Sequence, residues 1–112
     1  MKRGEIYWVN LDPVVGSEIG KCRPALILQN DLANNTSPTV TIVPLSTRVS
    51  RVFPFQVLIP SAASGLDRDS KALCEQIRMV SKNRLLDKAG ELSISDMKAI
   101  RTALDRHLWH QV

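Results

Sequence analysis

Two cysteines and two histidines among 112 residues leave little material for a metal cage or a thiol–imidazole pair. Cys22 and Cys74 are too few for a cysteine-built metal site, and a disulfide between them is disfavoured wherever thiols stay reduced. His107 and His110 stand three apart, a spacing that brings two imidazoles to one face of a helix. No third ligand accompanies them, so they are expected at a solvated helix end, where a cation interacts well with the dipole. Cys22 lies beside Arg23, whose charge favours a thiolate, but no histidine is placed to act as its base. Cys74 sits in an apolar run and reads as a small core residue. The Gly-x-x-x-x-Gly-Lys phosphate loop, the Gly-x-Ser-x-Gly elbow and His-Glu-x-x-His are all absent, which excludes the chemistries they carry.

No apolar run approaches the ~20 residues of a membrane span. The opening Met1-Lys2-Arg3-Gly4-Glu5-Ile6-Tyr7-Trp8 is basic but lacks the apolar stretch of a signal peptide. A cytoplasmic protein with no membrane partner is expected. No five like charges stand together, so there is no basic tail. Neither a repeat nor a low-complexity linker divides the chain. A length of 112 residues suffices for one core and not for two, and residues 1–112 are read as one domain. What is present is ordinary for a globular chain: 44% apolar residues, 23% charged residues and a net charge of +4. That balance favours polyanion partners without identifying one.

The front of the chain reads as strands. Residues 5–10 alternate polar and apolar with aromatic and β-branched side chains. Residues 12–21, punctuated by proline and glycine and without a period, form a long loop that Arg23-Pro24 ends. Two glycines make this loop a candidate mobile gate. Residues 25–29 are a short apolar run suited to a buried strand, and residues 30–38 read as turns with one short helical turn. Residues 39–43 form a β-branched strand, which Pro44 is expected to stop or hold at an edge. Residues 46–51 are a polar, basic connection, 55–59 a further strand, 65–69 a loop, and 72–80 the last long strand. The tail differs: Ile94, Met97, Ile100, Leu104 and Leu108 line one face of an amphipathic helix. Ser93 or Ser95 can cap it, and Asp96 suits its first turn. The expected class is α+β, mainly β: a small, strongly bent antiparallel sheet or partly open barrel with a C-terminal helix.

Arg23 after the glycine-bearing loop and the hydroxyls of Ser46-Thr47 at a strand end are the candidate site. Each alone is commonplace, the first as a structural ion pair and the second as a turn. Together they fit the tendency of function to collect on loops held by rigid strands.

The order and spacing of several segments carry a more specific signal. Arg3-Gly4-Glu5-Ile6-Tyr7-Trp8 and Asp12-Pro13-Val14-Val15-Gly16-Ser17-Glu18 are followed by Arg23-Pro24 and Gln29-Asn30-Asp31. Ser37-Pro38-Thr39, Val43-Pro44-Leu45-Ser46-Thr47 and Glu75-Gln76-Ile77-Arg78 come next. This series, over essentially the whole chain, resembles the MazF/PemK family of toxins. The resemblance implies an SH3-like, CcdB/PemK-type curved sheet with a C-terminal helix, usually in a homodimer. It implies metal-independent cleavage of single-stranded RNA at short sequences, with no cofactor, and a MazE-like antitoxin whose acidic segment fills the RNA groove. It assigns Arg23 to the family's catalytic arginine and Ser46 to its catalytic Thr or Ser. Thr47 follows one residue later, and a one-residue shift in a strand turns a side chain to the other face; Ser46 is therefore preferred and Thr47 held in reserve. Glu18 matches an acidic loop position that affects activity in some members.

These residue types suit the reaction. Cleavage needs the 2′-hydroxyl deprotonated, the charge on phosphorus stabilised and the leaving oxygen protonated. Arg23 can fork onto two phosphate oxygens and stays charged. Ser46 can donate to the same phosphate or hold the 2′-hydroxyl in line. Glu18 is the side chain best suited to take a proton. For RNA binding, Arg48 and Arg51 offer phosphate contacts and Phe53 a stacking face, unless this segment is only a solvated basic turn. Gln76 and Arg78, with Glu75, are expected on the groove floor, unless Glu75 and Arg78 merely form a cross-strand ion pair. Tyr7 and Trp8 could stack bases too, but aromatics in an early strand are more often core. The rival reading is a CcdB-like toxin that poisons DNA gyrase and cleaves nothing, which fold alone does not exclude.

Overall fold

The computed structural model describes residues 1–109; His110, and with it the expected histidine pair, lies outside the described residues. Seven strands and three helices follow one another: β1 (Glu5–Asn10), β2 (Cys22–Ile27), α1 (Asp31–Thr36), β3 (Thr39–Ser46), β4 (Gln56–Ile59), α2 (Ser61–Ser64), β5 (Ser70–Leu73), β6 (Arg78–Ser81), β7 (Leu85–Glu91) and α3 (Ile94–Leu108). The order across the antiparallel sheet is β4-β5-β3-β2-β1-β7, with β6 also paired to β3. The barrel does not close: β4 and β7 end the path as unjoined edges.

Residues 25–27 of β2 and 42–45 of β3 are apolar throughout because both of their faces are covered. Leu26, Val43 and Leu45 point to one side, where Ile6, Ile59, Ala72 and Cys74 join Ile100 and Ala103 of α3. Ala25, Ile27, Val40 and Ile42 point to the other, against Val9, Leu11 and Val80. Period 2 on a doubly covered strand yields continuous hydrophobicity rather than alternation, as residues 25–29 display. The helix α3 starts where Ser93 accepts the Asp96 N–H at 3.1 Å. Only the middle of its apolar stripe is buried: Ile94 is 80% exposed and Leu108 52% exposed, since both lie beyond the ends of the sheet contact.

Four expectations are corrected. The strand expected over 72–80 is two strands, β5 and β6, separated by a 3-10 turn at Cys74–Gln76. That turn lifts Glu75 and Gln76 out of the ladder. Pro44 neither ends β3 nor lies at an edge. It sits between Ile42, opposite Arg78, and Leu45, opposite Ala72, where the partner on that side leaves the ladder anyway. The strand β7 was not anticipated: it is mostly exposed and has no hydrophobic period. Its Gly90 is obligatory, because a Cβ there would come within 2.3 Å of the Ser64 carbonyl oxygen. Finally, Trp8 is no core residue; it is 39% exposed.

Candidate active site

The loop between β1 and β2 is closed at its neck, where Leu11 N–H donates to Lys21 O at 2.9 Å and Lys21 N–H donates to Asp12 Oδ1 at 2.8 Å. Lys21 takes a positive φ of 66°, a conformation costly for a side chain and held here by those two bonds. Gly20 has no room for a Cβ, which would lie 2.6 Å from Asp12 Oδ1. Farther out, Glu18 Oε1 accepts Val15 N–H at 2.9 Å, and Ile19 N–H donates to Gln76 Oε1 at 2.7 Å. The expected gate is thus tied down at its neck and its tip. Its last turn also aims the arginine, since Arg23 Nε donates to Gly20 O at 2.8 Å.

Ser46 ends β3, 7% exposed, and its Oγ accepts the Arg48 N–H at 3.2 Å. That bond uses a lone pair and leaves the hydroxyl proton to donate elsewhere. The result is a hollow of about 330 Å³ lined by Ser17, Glu18, Ile19, Gly20, Arg23, Ser46, Arg48 and Gln76. Five residues singled out from the sequence meet there: Glu18, Arg23, Ser46, Arg48 and Gln76. The only side-chain ion pair among the described residues is Lys88–Glu5 on the far edge. Arg23 and Arg48 therefore face the hollow with their charges unneutralised by a paired carboxylate, as an anion site requires.

The other sequence candidates lie elsewhere. Thr47 turns to the opposite side, into a smaller hollow of about 160 Å³ with Trp8, Pro24, Leu66, Asp67, Arg68 and Ser70. Strand parity thus separates the two neighbouring hydroxyls. Arg51 and Phe53 are engaged with each other: the guanidinium lies 4.5 Å from the ring centroid. Phe53 also stacks on Phe55 at 5.4 Å, and His107 tilts against Phe55 at 6.0 Å. Arg78 lines an adjoining hollow of about 410 Å³ with Ser17, Glu18, Glu75, Gln76 and Ile77. The Glu75–Arg78 ion pair considered from the sequence does not form: Glu75 Oε1 and Arg78 Nη1 are shielded from solvent and unpartnered.

Gln56 escaped the sequence reading. Buried at 8% exposure, it donates from Nε2 to Glu75 Oε2 at 2.7 Å and accepts Phe53 N–H at Oε1, at 3.1 Å. The one available signal was a polar residue amid an apolar strand, which is ambiguous where strands alternate. Cys74 is inert core, its thiol pushed up to about 12 by burial and then by the neighbouring Glu75 charge, while Cys22 is exposed. Among the described residues no group of three or more His, Cys, Asp or Glu side chains is arranged to hold a metal, and no helix is long and apolar enough to cross a membrane.

A description of PemK-like, MazF-like toxins of type II toxin–antitoxin systems matches residues 2–108. The chain belongs to this family. It is 42% identical over 113 residues to the endoribonuclease MazF9 of Mycobacterium tuberculosis, a match covering 96% of each chain. Its fold superimposes on a MazF of Deinococcus radiodurans with a TM-score of 0.84, at 24% identity over 98% of this chain and 97% of that one. It also resembles a mycobacterial endoribonuclease solved with its cognate antitoxin, with a TM-score of 0.78 and 26% identity over 96% and 94% of the two chains. The MazF/PemK resemblance and the fold expected from it are thereby established, and the family's usual chemistry can be weighed against the side chains in the hollow.

Proposed function

We propose that the chain is a sequence-selective endoribonuclease toxin that cuts single-stranded RNA through the RNA's own 2′-hydroxyl. The observation that carries this reading is the convergence of Arg23 and Ser46 on one hollow, with Arg23 aimed by Gly20 and paired to no carboxylate. A scissile phosphate seated there receives the forked guanidinium on its non-bridging oxygens and the Ser46 hydroxyl as a second donor. Attack by the 2′-oxygen then forms a bond to phosphorus as the bond to the 5′-oxygen breaks. The products are a 2′,3′-cyclic phosphate and a 5′-hydroxyl. Glu18, on the hollow's rim, is the group placed to accept the 2′-hydroxyl proton. Arg48 holds the flanking backbone, and Gln76 and Arg78 border the path of the chain. The departing 5′-oxygen takes its proton from water, and no step is assigned to a metal or cofactor. DNA lacks the nucleophile and is expected to survive.

Residues 1–112 act as one catalytic unit in this reading, in the cytoplasm, as a homodimer neutralised by a MazE-like antitoxin. Family membership supports both partners, and an acidic antitoxin segment complements a hollow flanked by Arg23 and Arg48.

The test is a long single-stranded RNA and a matched DNA, incubated in EDTA with the protein and with Arg23→Ala. Discrete cuts ending in cyclic phosphate are expected on RNA alone. The variant should be slower by about 100- to 1000-fold, the usual loss when one preorganised stabiliser of a developing oxyanion is removed. RNA left intact across varied sequences would sink the reading and favour the gyrase-poison alternative.

A further inference from the structure

The reaction hollow is not the end of the cleft. It shares Ser17, Glu18 and Gln76 with the adjoining hollow that Glu75, Ile77 and Arg78 complete, so a strand crossing Arg23 and Ser46 places a neighbouring nucleotide there. Three acceptors on that wall are committed: Glu18 Oε1 to Val15, Gln76 Oε1 to Ile19, Glu75 Oε2 to Gln56. Two buried atoms have no partner. Glu75 Oε1 is an anionic acceptor without a donor, and Arg78 Nη1 is a donor without an acceptor, both shut off from water. Buried polar atoms are seldom left unpaired except where something else completes them, and hydrogen bonds to charged groups away from water are the strong ones.

We propose that this second hollow is a base-reading subsite, and that Glu75, positioned by Gln56, selects a nucleobase bearing an exocyclic amine. The inference rests on the chain being an RNA-cleaving enzyme. A phosphate is disfavoured beside the Glu75 carboxylate, whose Oε1 is an anionic acceptor without a donor. The flat edge of a base suits the wall, with Ile77 offering apolar contact. Adenine, cytosine and guanine each present an amine next to a ring-nitrogen acceptor, so the amine donates to Glu75 Oε1 and the ring nitrogen takes the Arg78 N–H. Uracil has no amine. Its single N–H is flanked on both sides by carbonyl oxygens that a carboxylate repels.

Glu75→Gln turns the selection round. Gln56 Nε2 requires an acceptor from residue 75, which fixes the new amide's oxygen on Gln56 and leaves its NH2 in the place of Glu75 Oε1. A donor then stands where an acceptor stood. Cleavage sites mapped on a randomised single-stranded RNA should show uracil excluded at one position beside the cut by the unaltered protein. Glu75→Gln should still cut, with uracil gained at that position by roughly 10- to 100-fold relative to the amino-bearing bases. Identical site profiles would overturn the proposal, as would a folded Glu75→Gln that cuts nothing, which would make the carboxylate part of the reaction itself. A second measurement needs no variant. Removing only the exocyclic amine from the base at that position (purine riboside for adenosine, inosine for guanosine, 2-pyrimidinone riboside for cytidine) should lower kcat/KM by roughly 10- to 100-fold; no change there also overturns it. If the unaltered protein cuts no RNA at all, the nuclease reading fails and the base subsite fails with it.

Discussion

Two long loops flank the reaction hollow, and different forces hold them. The loop of residues 11–21 is secured by hydrogen bonds, several of them backbone N–H groups donating to charged or amide side chains, and one of these reaches Gln76 across the hollow. The connection of residues 47–55 is secured mainly by packing: the Arg51–Phe53–Phe55 stack ends on His107 of α3, with Lys71 Nζ on Arg51 O at 2.7 Å and Arg106 on Pro54 O at 3.3 Å. The first loop is fastened to the reaction site and the second to the body of the fold. Hydrogen bonds at a solvated surface are worth little net and break locally, whereas an aromatic stack against a helix belongs to global stability. Damage to the first loop should therefore appear in activity, and damage to the second in melting.

Of the two loops, the first should show the larger effect, at its tip. Gln76→Ala removes the acceptor for Ile19 N–H and frees the segment bearing Glu18, while the core is untouched. Cleavage should fall by roughly 10- to 100-fold, as misplacement of reacting groups by about an ångström costs, with the thermal midpoint nearly constant. Gln76→Glu keeps an acceptor oxygen and should recover much of the loss. A simple loss of RNA contact would not be rescued in this way. Amide exchange at Ile19 provides the structural readout, faster in the alanine variant alone.

The second loop should behave in the opposite manner. Phe55→Ala removes the ring between Phe53 and His107, which are half-buried and exposed respectively. A loss of about 1–2 kcal/mol follows from the partial apolar burial and the stacking, lowering the thermal midpoint by several degrees. Cleavage below the melting range should change by less than about twofold, since no group in the hollow is displaced. An unaltered midpoint with crippled cleavage would reverse the comparison and make the aromatic column a working surface.

The same contrast explains what the sequence disclosed. The β-branched alternation of β3 and the stripe of α3 are local patterns, and both were legible. The choice of Ser46 over Thr47 beside Arg23 came instead from the family resemblance, since strand parity says only that the two hydroxyls face apart. Legibility failed wherever the deciding partner was distant. Leu85–Glu91 holds to β1 by backbone pairing, with no apolar face to announce a strand. The stretch from Ala72 to Val80 gives no sign that β3 changes partners midway. Phe53 looked available for stacking because nothing nearby shows that Arg51, Phe55 and ultimately α3 absorb it. Gln56 was not singled out, because its partner Glu75 lies nineteen positions on, at 2.7 Å only in the folded chain.

The smallest effect is expected far from both loops, and it sets the background for the other two. Glu5 of β1 and Lys88 of β7 form an ion pair at 2.7 Å. The hydrogen bond from Lys88 holds the Glu5 carboxyl below its ordinary 4.5, and the same bond raises Lys88 above its ordinary 10.5. The depressed carboxyl stabilises the fold above its unfolded value and loses that contribution as pH falls through its folded value. The raised ammonium contributes fully below its unfolded value and loses that contribution as pH rises through its folded one. The pair therefore acts fully between those two ordinary values and fades outside them. Because Lys88 is 43% exposed, water and salt screen much of the attraction. Glu5→Gln should lower the midpoint slightly at neutral pH, and the difference should shrink in high salt and vanish in acid below the folded Glu5 value. Neither cleavage nor exchange at Ile19 should respond. If Glu5→Gln slowed cleavage as Gln76→Ala does, the sheet's edge would be coupled to the site, and the first loop could no longer be treated as locally anchored.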